Sequence, residues 1–131
     1  MRYGCVILAD SHLGMLGGVH SLLGASFKTV VMVSDEHSLS EVIDKIYPCL
    51  LVVDLSLPDS GEANIAKRLH SAHPNIPLII LSVHDEPTVA DEVRAAGAAG
   101  YVLKRNVGTE LLSVVREVLK NAQQESKTVA D

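Results

Sequence analysis

The chain contains no tryptophan, one phenylalanine and three tyrosines, so aromatics make up only 3% of it. Modules that stack single-stranded bases need exposed aromatic rings, so the composition argues against that class. The core must instead be built from Val, Leu, Ile and Ala. Basic residues are also scarce: 11 Lys and Arg stand against 16 Asp and Glu, a formal net charge of −5. Arg68, Arg94, Lys104, Arg105, Arg116 and Lys120 are spread along the chain rather than gathered into a stripe. Duplex DNA binding normally rests on such a stripe, so no direct nucleic-acid binding by this chain is expected. Two cysteines, Cys5 and Cys49, open apolar runs and are expected as buried, reduced thiols of a cytosolic protein. The first apolar run meets Asp10, which makes it too short for a signal peptide or a membrane span. A cytoplasmic location without membrane contact is the expectation. Gly-rich dinucleotide and phosphate-loop fingerprints are absent, as are internal repeats and low-complexity tracts.

What is present is aliphatic and alternating. A length of 131 residues suits one domain, and 47% hydrophobic residues argue against disorder. Aliphatic runs recur at Tyr3–Ala9, Thr29–Val33, Leu50–Val53, Leu78–Val83 and Tyr101–Leu103. Continuous runs of this kind suit strands buried on both faces. Between them lie segments with helical spacing: Leu13, Leu16, Val19, Leu22 and Leu23; Leu39, Val42, Ile43 and Ile46; Ile65, Ala66 and Leu69; Val89, Val93 and Ala96; Leu111, Leu112, Val115, Val118 and Leu119. Five strands alternating with five helices predict an α/β sheet. Pro87 suits a helix first turn, Gly97 and Gly100 end the fourth helix and enter the fifth strand, and Thr109 with Glu110 opens the last helix. Gly14, Gly17 and Gly18 weaken the first helix. It is read either as a weak helix packed closely on a neighbour or as a displaced one. Residues 1–121 read as one domain; residues 122–131 lose the apolar period and read as a tail or the start of a linker to an absent output domain.

Four of the strand-like runs end in a polar group: Asp10, Asp54, Ser82 and Lys104. Strand tips are where open parallel sheets bind ligands. A carboxylate at the end of Leu50–Val53 is not there for packing. Two acids, a hydroxyl and an ammonium on four strand ends describe a phosphoryl-accepting site.

The segments ILADSH, LVVDLSLP, LIILSVHDEP and GYVLKR resemble those of two-component response-regulator receiver domains, most closely the receivers of LuxR-type transcription regulators. The resemblance runs from residue 3 to about 120. It implies a flavodoxin-like (βα)5 fold, a doubly wound five-stranded parallel sheet of order 2-1-3-4-5. It implies that Asp54 is the phosphoacceptor, that Lys104 contacts the phosphoryl oxygens and that Ser82 hydrogen-bonds the phosphoryl group. Asp10, Asp54 and the backbone carbonyl of Ser56 would hold Mg²⁺, and Tyr101 would be the aromatic that swings inward on activation. The implied partner is a sensor histidine kinase, with homodimer formation open; the fifth helix could supply that surface. The implied class is a signalling domain, not an enzyme, that takes part in its own phosphorylation and dephosphorylation.

Two features depart from the family pattern. Receivers carry two adjacent acids after the first strand, but here the pair is Asp10-Ser11. Mg²⁺ prefers carboxylates and waters, so weak Mg²⁺ binding and slow or absent phosphorylation are expected. Asp10 ligating directly, or Ser11 holding a coordinated water, is the alternative. The loop between Pro58 and Gly61 is one residue short, and Asp59 within it is read as a solvated turn acid. Retention of Asp54, Ser82 and Lys104 favours a phosphorylatable switch; Ser11 favours a pseudo-receiver, a phosphorylation-independent interaction module. A flavin or small-molecule enzyme has no motif behind it.

Overall fold

The structure, a computed structural model, describes residues 2–57 and 64–130; for residues 13–17 and 124–130 only the backbone is described. The elements alternate as expected: β1 (Tyr3–Ala9), α1 (Leu13–Gly24), β2 (Phe27–Val33), α2 (Glu36–Ile46), β3 (Leu50–Asp54), α3 (Ile65–Ala72), β4 (Leu78–Ser82), α4 (Pro87–Ala95), β5 (Gly100–Leu103) and α5 (Val107–Ala130). The strands form one parallel sheet of order β2-β1-β3-β4-β5.

The aliphatic runs explain this order. Every residue of β3 and β4 is buried, as central strands covered on both faces must be. Alternate side chains feed two cores. On one face Val6, Leu8, Leu50, Val52, Ile79 and Leu81 meet Val19 and Leu23 of α1 and Leu111, Val115, Val118 and Leu119 of α5. On the other, Ile7, Leu51, Val53 and Ile80 meet Leu39 and Ile43 of α2, Ile65 and Leu69 of α3 and Val93 of α4. Each such aliphatic side chain contributes about 1.5–3 kcal/mol on full burial. The single phenylalanine, Phe27, is 1% exposed and its ring lies 5.3 Å from that of Tyr3.

Local signals set the boundaries. Asp35 caps α2, accepting from the Ser38 amide at 2.7 Å. Asn64 caps α3 in the same way through Lys67. At Gly97 the backbone takes φ +117, and a β-carbon there would collide with the ring of His70. Only glycine fits both demands. Gly100 is a close approach of a different kind, since a β-carbon would meet Val114 of α5 at 2.7 Å.

Several expectations are corrected. The last helix opens at Val107 rather than Thr109, because a 3-10 turn at Lys104–Asn106 runs straight into it; the Thr109 hydroxyl donates to the Asn106 carbonyl. Strand β2 starts two residues early, at Phe27. The backbone of 122–130, read as a tail or the start of a linker, is helical and continuous with α5. Of the two readings of α1, the structure has the weak helix packed closely on its neighbours, β2 and α5. The two thiols are half-buried, not buried. Cys49 donates from both its amide and its thiol to the Cys5 carbonyl, at 2.9 and 3.2 Å. Burial pushes both thiols above their ordinary pKa. Most of the α5 apolar face considered for a dimer is spent on the core.

Candidate functional site

Register brings the four polar strand ends together. Ala9 pairs with Val53, Asp54 with Leu81, and Ser82 with Leu103. Asp10, Asp54, Ser82 and Lys104 therefore stand side by side at the carboxyl edge of the sheet. All four are buried, at 0%, 1%, 1% and 7% exposure. Polar groups at this depth are costly without partners, by several kcal/mol per charge.

The partners are present. Lys104 Nζ donates to Asp54 Oδ2 at 2.9 Å and lies 3.0 Å from Asp10 Oδ2. Ser56 closes a turn beneath Asp54, its amide donating to Oδ1 at 3.1 Å and its hydroxyl to Oδ2 at 3.0 Å. Burial alone would raise the Asp54 pKa, but the Lys104 and Ser56 hydrogen bonds outweigh it and hold the carboxyl below the ordinary value. The reciprocal holds for Lys104, whose burial is outweighed by Asp54 and Asp10, so its pKa is raised. Asp54 is thus an anion poised at a strand tip, with a cation on it.

Asp10 is held differently. Its Oδ1 accepts from the His12 amide at 2.8 Å and faces His12 Nδ1 at 3.0 Å. Its Oδ2 is buried and receives no aligned hydrogen bond, although the Lys104 ammonium is within ion-pair range. The His12 ring also lies 3.4 Å from Asp54 Oδ2 and 3.3 Å from Lys104 Nζ. His12 is the residue that reading the sequence missed. It sits two positions beyond Asp10 as the N-cap of α1, with no side-chain cap bond of its own. A polar loop histidine carries no sequence signal except that i+2 spacing.

Ser82 is engaged away from Asp54. Its hydroxyl accepts from the His84 amide at 3.0 Å. Tyr101, half-buried against the α2–α4 core, donates its hydroxyl to the carbonyl of the same His84. Ser11 is exposed. The Pro58–Gly61 loop and Asp59 lie outside the described residues.

A divalent cation can be judged against this donor set. Two hard carboxylates, one with an orphaned buried oxygen, fit such an ion. The ligand atoms of Asp10, His12 and Asp54 all lie within 4.8 Å of one another. The third donor is the imidazole of residue 12, whereas the second acid of the family pattern falls at residue 11.

A five-stranded parallel sheet with buried acids and a lysine on its carboxyl edge defines the class: a doubly wound α/β domain with a charged switch-point site. Residues 6–116 match the response regulator receiver domain, and the chain belongs to that family. The transcriptional activator DevR/DosR of Mycobacterium tuberculosis is 31% identical over 116 residues, which cover 86% of this chain and 53% of that protein. The transcriptional regulatory protein DegU of Brevibacillus brevis is 25% identical over 115 residues, 86% of this chain and 49% of its own length. The chain thus spans about half the length of the curated relatives it matches. Among solved structures, the signal receiver domain of the response regulator NarL from Mycobacterium tuberculosis superposes with a TM-score of 0.75 at 27% identity, covering 94% of this chain and 98% of that one. The RcsB response regulator of Salmonella typhimurium gives a TM-score of 0.84 at 25% identity, covering 92% and 62%. Among the described residues, no helix is long and apolar enough to cross a membrane.

Proposed function

We propose that this domain is a phosphoacceptor switch, taking a phosphoryl group from a phosphohistidine of a sensor histidine kinase onto Asp54. The observation that carries this is the Asp54 carboxylate itself: 1% exposed, with its pKa held down, and paired with Lys104 at 2.9 Å. In the step, an Asp54 oxygen attacks phosphorus and the P–N bond to the kinase imidazole breaks. The bonding electrons return to the ring nitrogen, leaving an acyl phosphate. Transfer of this kind depends on positioning and charge neutralisation. Lys104 supplies a cation already on the nucleophile. A bound divalent cation, held by Asp10, Asp54 and the Ser56 carbonyl, would neutralise charge on the phosphoryl oxygens.

Readout follows from the His84 node. Its amide is bound by Ser82 and its carbonyl by Tyr101. When Ser82 turns to the new phosphoryl group, the His84 amide is released and the loop holding Tyr101 shifts. That biases a surface formed by α4, β5 and α5 between two states. The output is transcriptional, by likeness to the relatives, and the setting is the cytoplasm, where the kinase carries its phosphohistidine.

A second reading rests on Ser11. An exposed hydroxyl replaces a charged ligand, which favours a pseudo-receiver working without phosphate. The test is treatment with acetyl phosphate or beryllofluoride, with and without Mg²⁺, on wild type and Asp54→Asn, read by intact mass. One phosphoryl adduct that needs both the cation and Asp54 supports the switch. No adduct on folded protein at high Mg²⁺ selects the pseudo-receiver.

A further inference from the structure

We propose that His12 is a metal ligand of this site, compensating for the acid missing at Ser11, so that the site takes a first-row transition-metal cation such as Mn²⁺ with a nitrogen in its coordination shell. The inference concerns the same strand-edge site as the proposed switch, but it does not require that Asp54 be phosphorylated.

Three observations converge. The Nδ1 atom of His12 stands 3.0 Å from Asp10 Oδ1 and 3.4 Å from Asp54 Oδ2. A single ion can bridge the three ligand atoms, which lie within 4.8 Å of one another. Asp10 Oδ2, fully buried, accepts no aligned hydrogen bond and has the Lys104 ammonium beside it at 3.0 Å. A metal ion entering there would take over the charge neutralisation that Lys104 supplies. Finally, the His12 backbone is tied down, its amide donating to Asp10 at 2.8 Å, while 63% of its side chain remains exposed. The backbone anchors the ring with Nδ1 already facing both carboxylates.

The donor chemistry then sets selectivity. Carboxylate, carbonyl and water suit Mg²⁺ and Mn²⁺ alike, whereas imidazole suits transition metals and not Mg²⁺. A carboxylate-to-hydroxyl exchange at residue 11 removes one negative charge and leaves Mg²⁺ with less to hold. The imidazole restores affinity only for an ion that accepts nitrogen. Lys104 Nζ lies 2.9–3.0 Å from both carboxylates, so an entering cation has to displace it from Asp10. That competition lowers the affinity for either ion.

The experiment uses the purified chain, without phosphodonor, titrated with MnCl₂ and separately with MgCl₂. Mn²⁺ binding is followed by electron paramagnetic resonance, and ligand identity by the ¹⁴N modulation of the echo from a directly coordinated imidazole. Mg²⁺ binding is followed by calorimetry. Wild type is expected to show ¹⁴N modulation. His12→Ala and His12→Asn are expected to lose it, and to lose Mn²⁺ affinity by at least about 10- to 100-fold, the loss that follows when only a hydrogen-bond partner of a metal-bound histidine is removed. Mg²⁺ affinity should change far less in the same variants, and Ser11→Asp should raise it. Failure to bind Mn²⁺, binding without ¹⁴N modulation, or modulation that survives both His12 substitutions overturns the proposal. A protein that shows the nitrogen signal yet accepts no phosphoryl group would remove the switch reading and leave this one standing. Phosphorylation with Mg²⁺ but no nitrogen signal would do the reverse.

Discussion

Lys104 is where the energetics of the site concentrate, because one ammonium serves two buried carboxylates. Removing one partner of a buried ion pair costs about 3–5 kcal/mol, since the partner is left as an uncompensated charge. Lys104→Met is therefore expected to destabilise the domain by about that amount, measured by urea unfolding in EDTA. Adding Asp54→Asn to it should recover part of the loss, because it removes one of the two stranded charges. A Lys104→Met variant as stable as wild type would mean that the carboxylates are served by water instead. At this scale the sequence was informative where a polar residue ended an aliphatic run. Asp10, Asp54, Ser82 and Lys104 all announced themselves that way, and register then set them side by side. His12 did not, because its importance comes from the turn that swings a loop residue over the strand ends. The engagement of Ser82 with His84 was equally hidden, since a hydroxyl can bond any nearby amide and the sequence does not rank the choices.

At the scale of elements, burial on both faces makes strands easy to read, and β1, β3 and β4 appear within a residue of the aliphatic runs. Helix starts are harder. The turn after Lys104 runs into α5 before any capping signal at Thr109 is reached, and β2 takes in Phe27 and Lys28 because parallel pairing with β1 extends to Tyr3. Helix α5 also persists through 122–130, where apolar periodicity has faded, because that stretch has neither Pro nor Gly to stop it. Gly97 tests how tightly the elements are joined. Its positive φ and its position against His70 of α3 let the chain leave α4 and enter β5. Gly97→Ala should cost about 1–3 kcal/mol from the strained backbone alone. The clash adds to that, and His70→Ala in the same chain should relieve only the clash. Thermal unfolding of the two single variants and the double variant separates these parts. Full recovery in the double variant would show that the conformation at 97 is not strained, against the φ argument.

The whole molecule divides its work by face and edge. One face of the sheet is closed by α1 and α5, the other by α2, α3 and α4, and the carboxyl edge carries the charge. The Asp10, Asp54 and Lys104 cluster is net negative, and a phosphoryl group on Asp54 would deepen that. The chain as a whole carries −5. Duplex affinity without sequence specificity comes from neutralising phosphates with Lys and Arg, and non-specific Kd values for proteins that do this are about 10⁻⁴–10⁻⁶ M. Three of the eleven cations are engaged within the domain: Lys104 is buried in the site, and Arg68 is joined to Glu36 of α2 at 2.8 Å. Arg105 reaches Asp85 at 3.2 Å. With its Lys and Arg spread along the sequence and a net charge of −5, the domain alone should bind duplex DNA no more tightly than about 10⁻⁴ M at low salt, before or after beryllofluoride treatment. Fluorescence anisotropy of a labelled duplex at two salt concentrations measures this. A salt-sensitive rise at micromolar protein would show that a basic surface exists, and would move the output from a protein-contacting switch to one that touches DNA itself. Flat anisotropy, with a phosphorylation-dependent change in Tyr101 or in the surface of α4 and α5, would place the output where the His84 node leads.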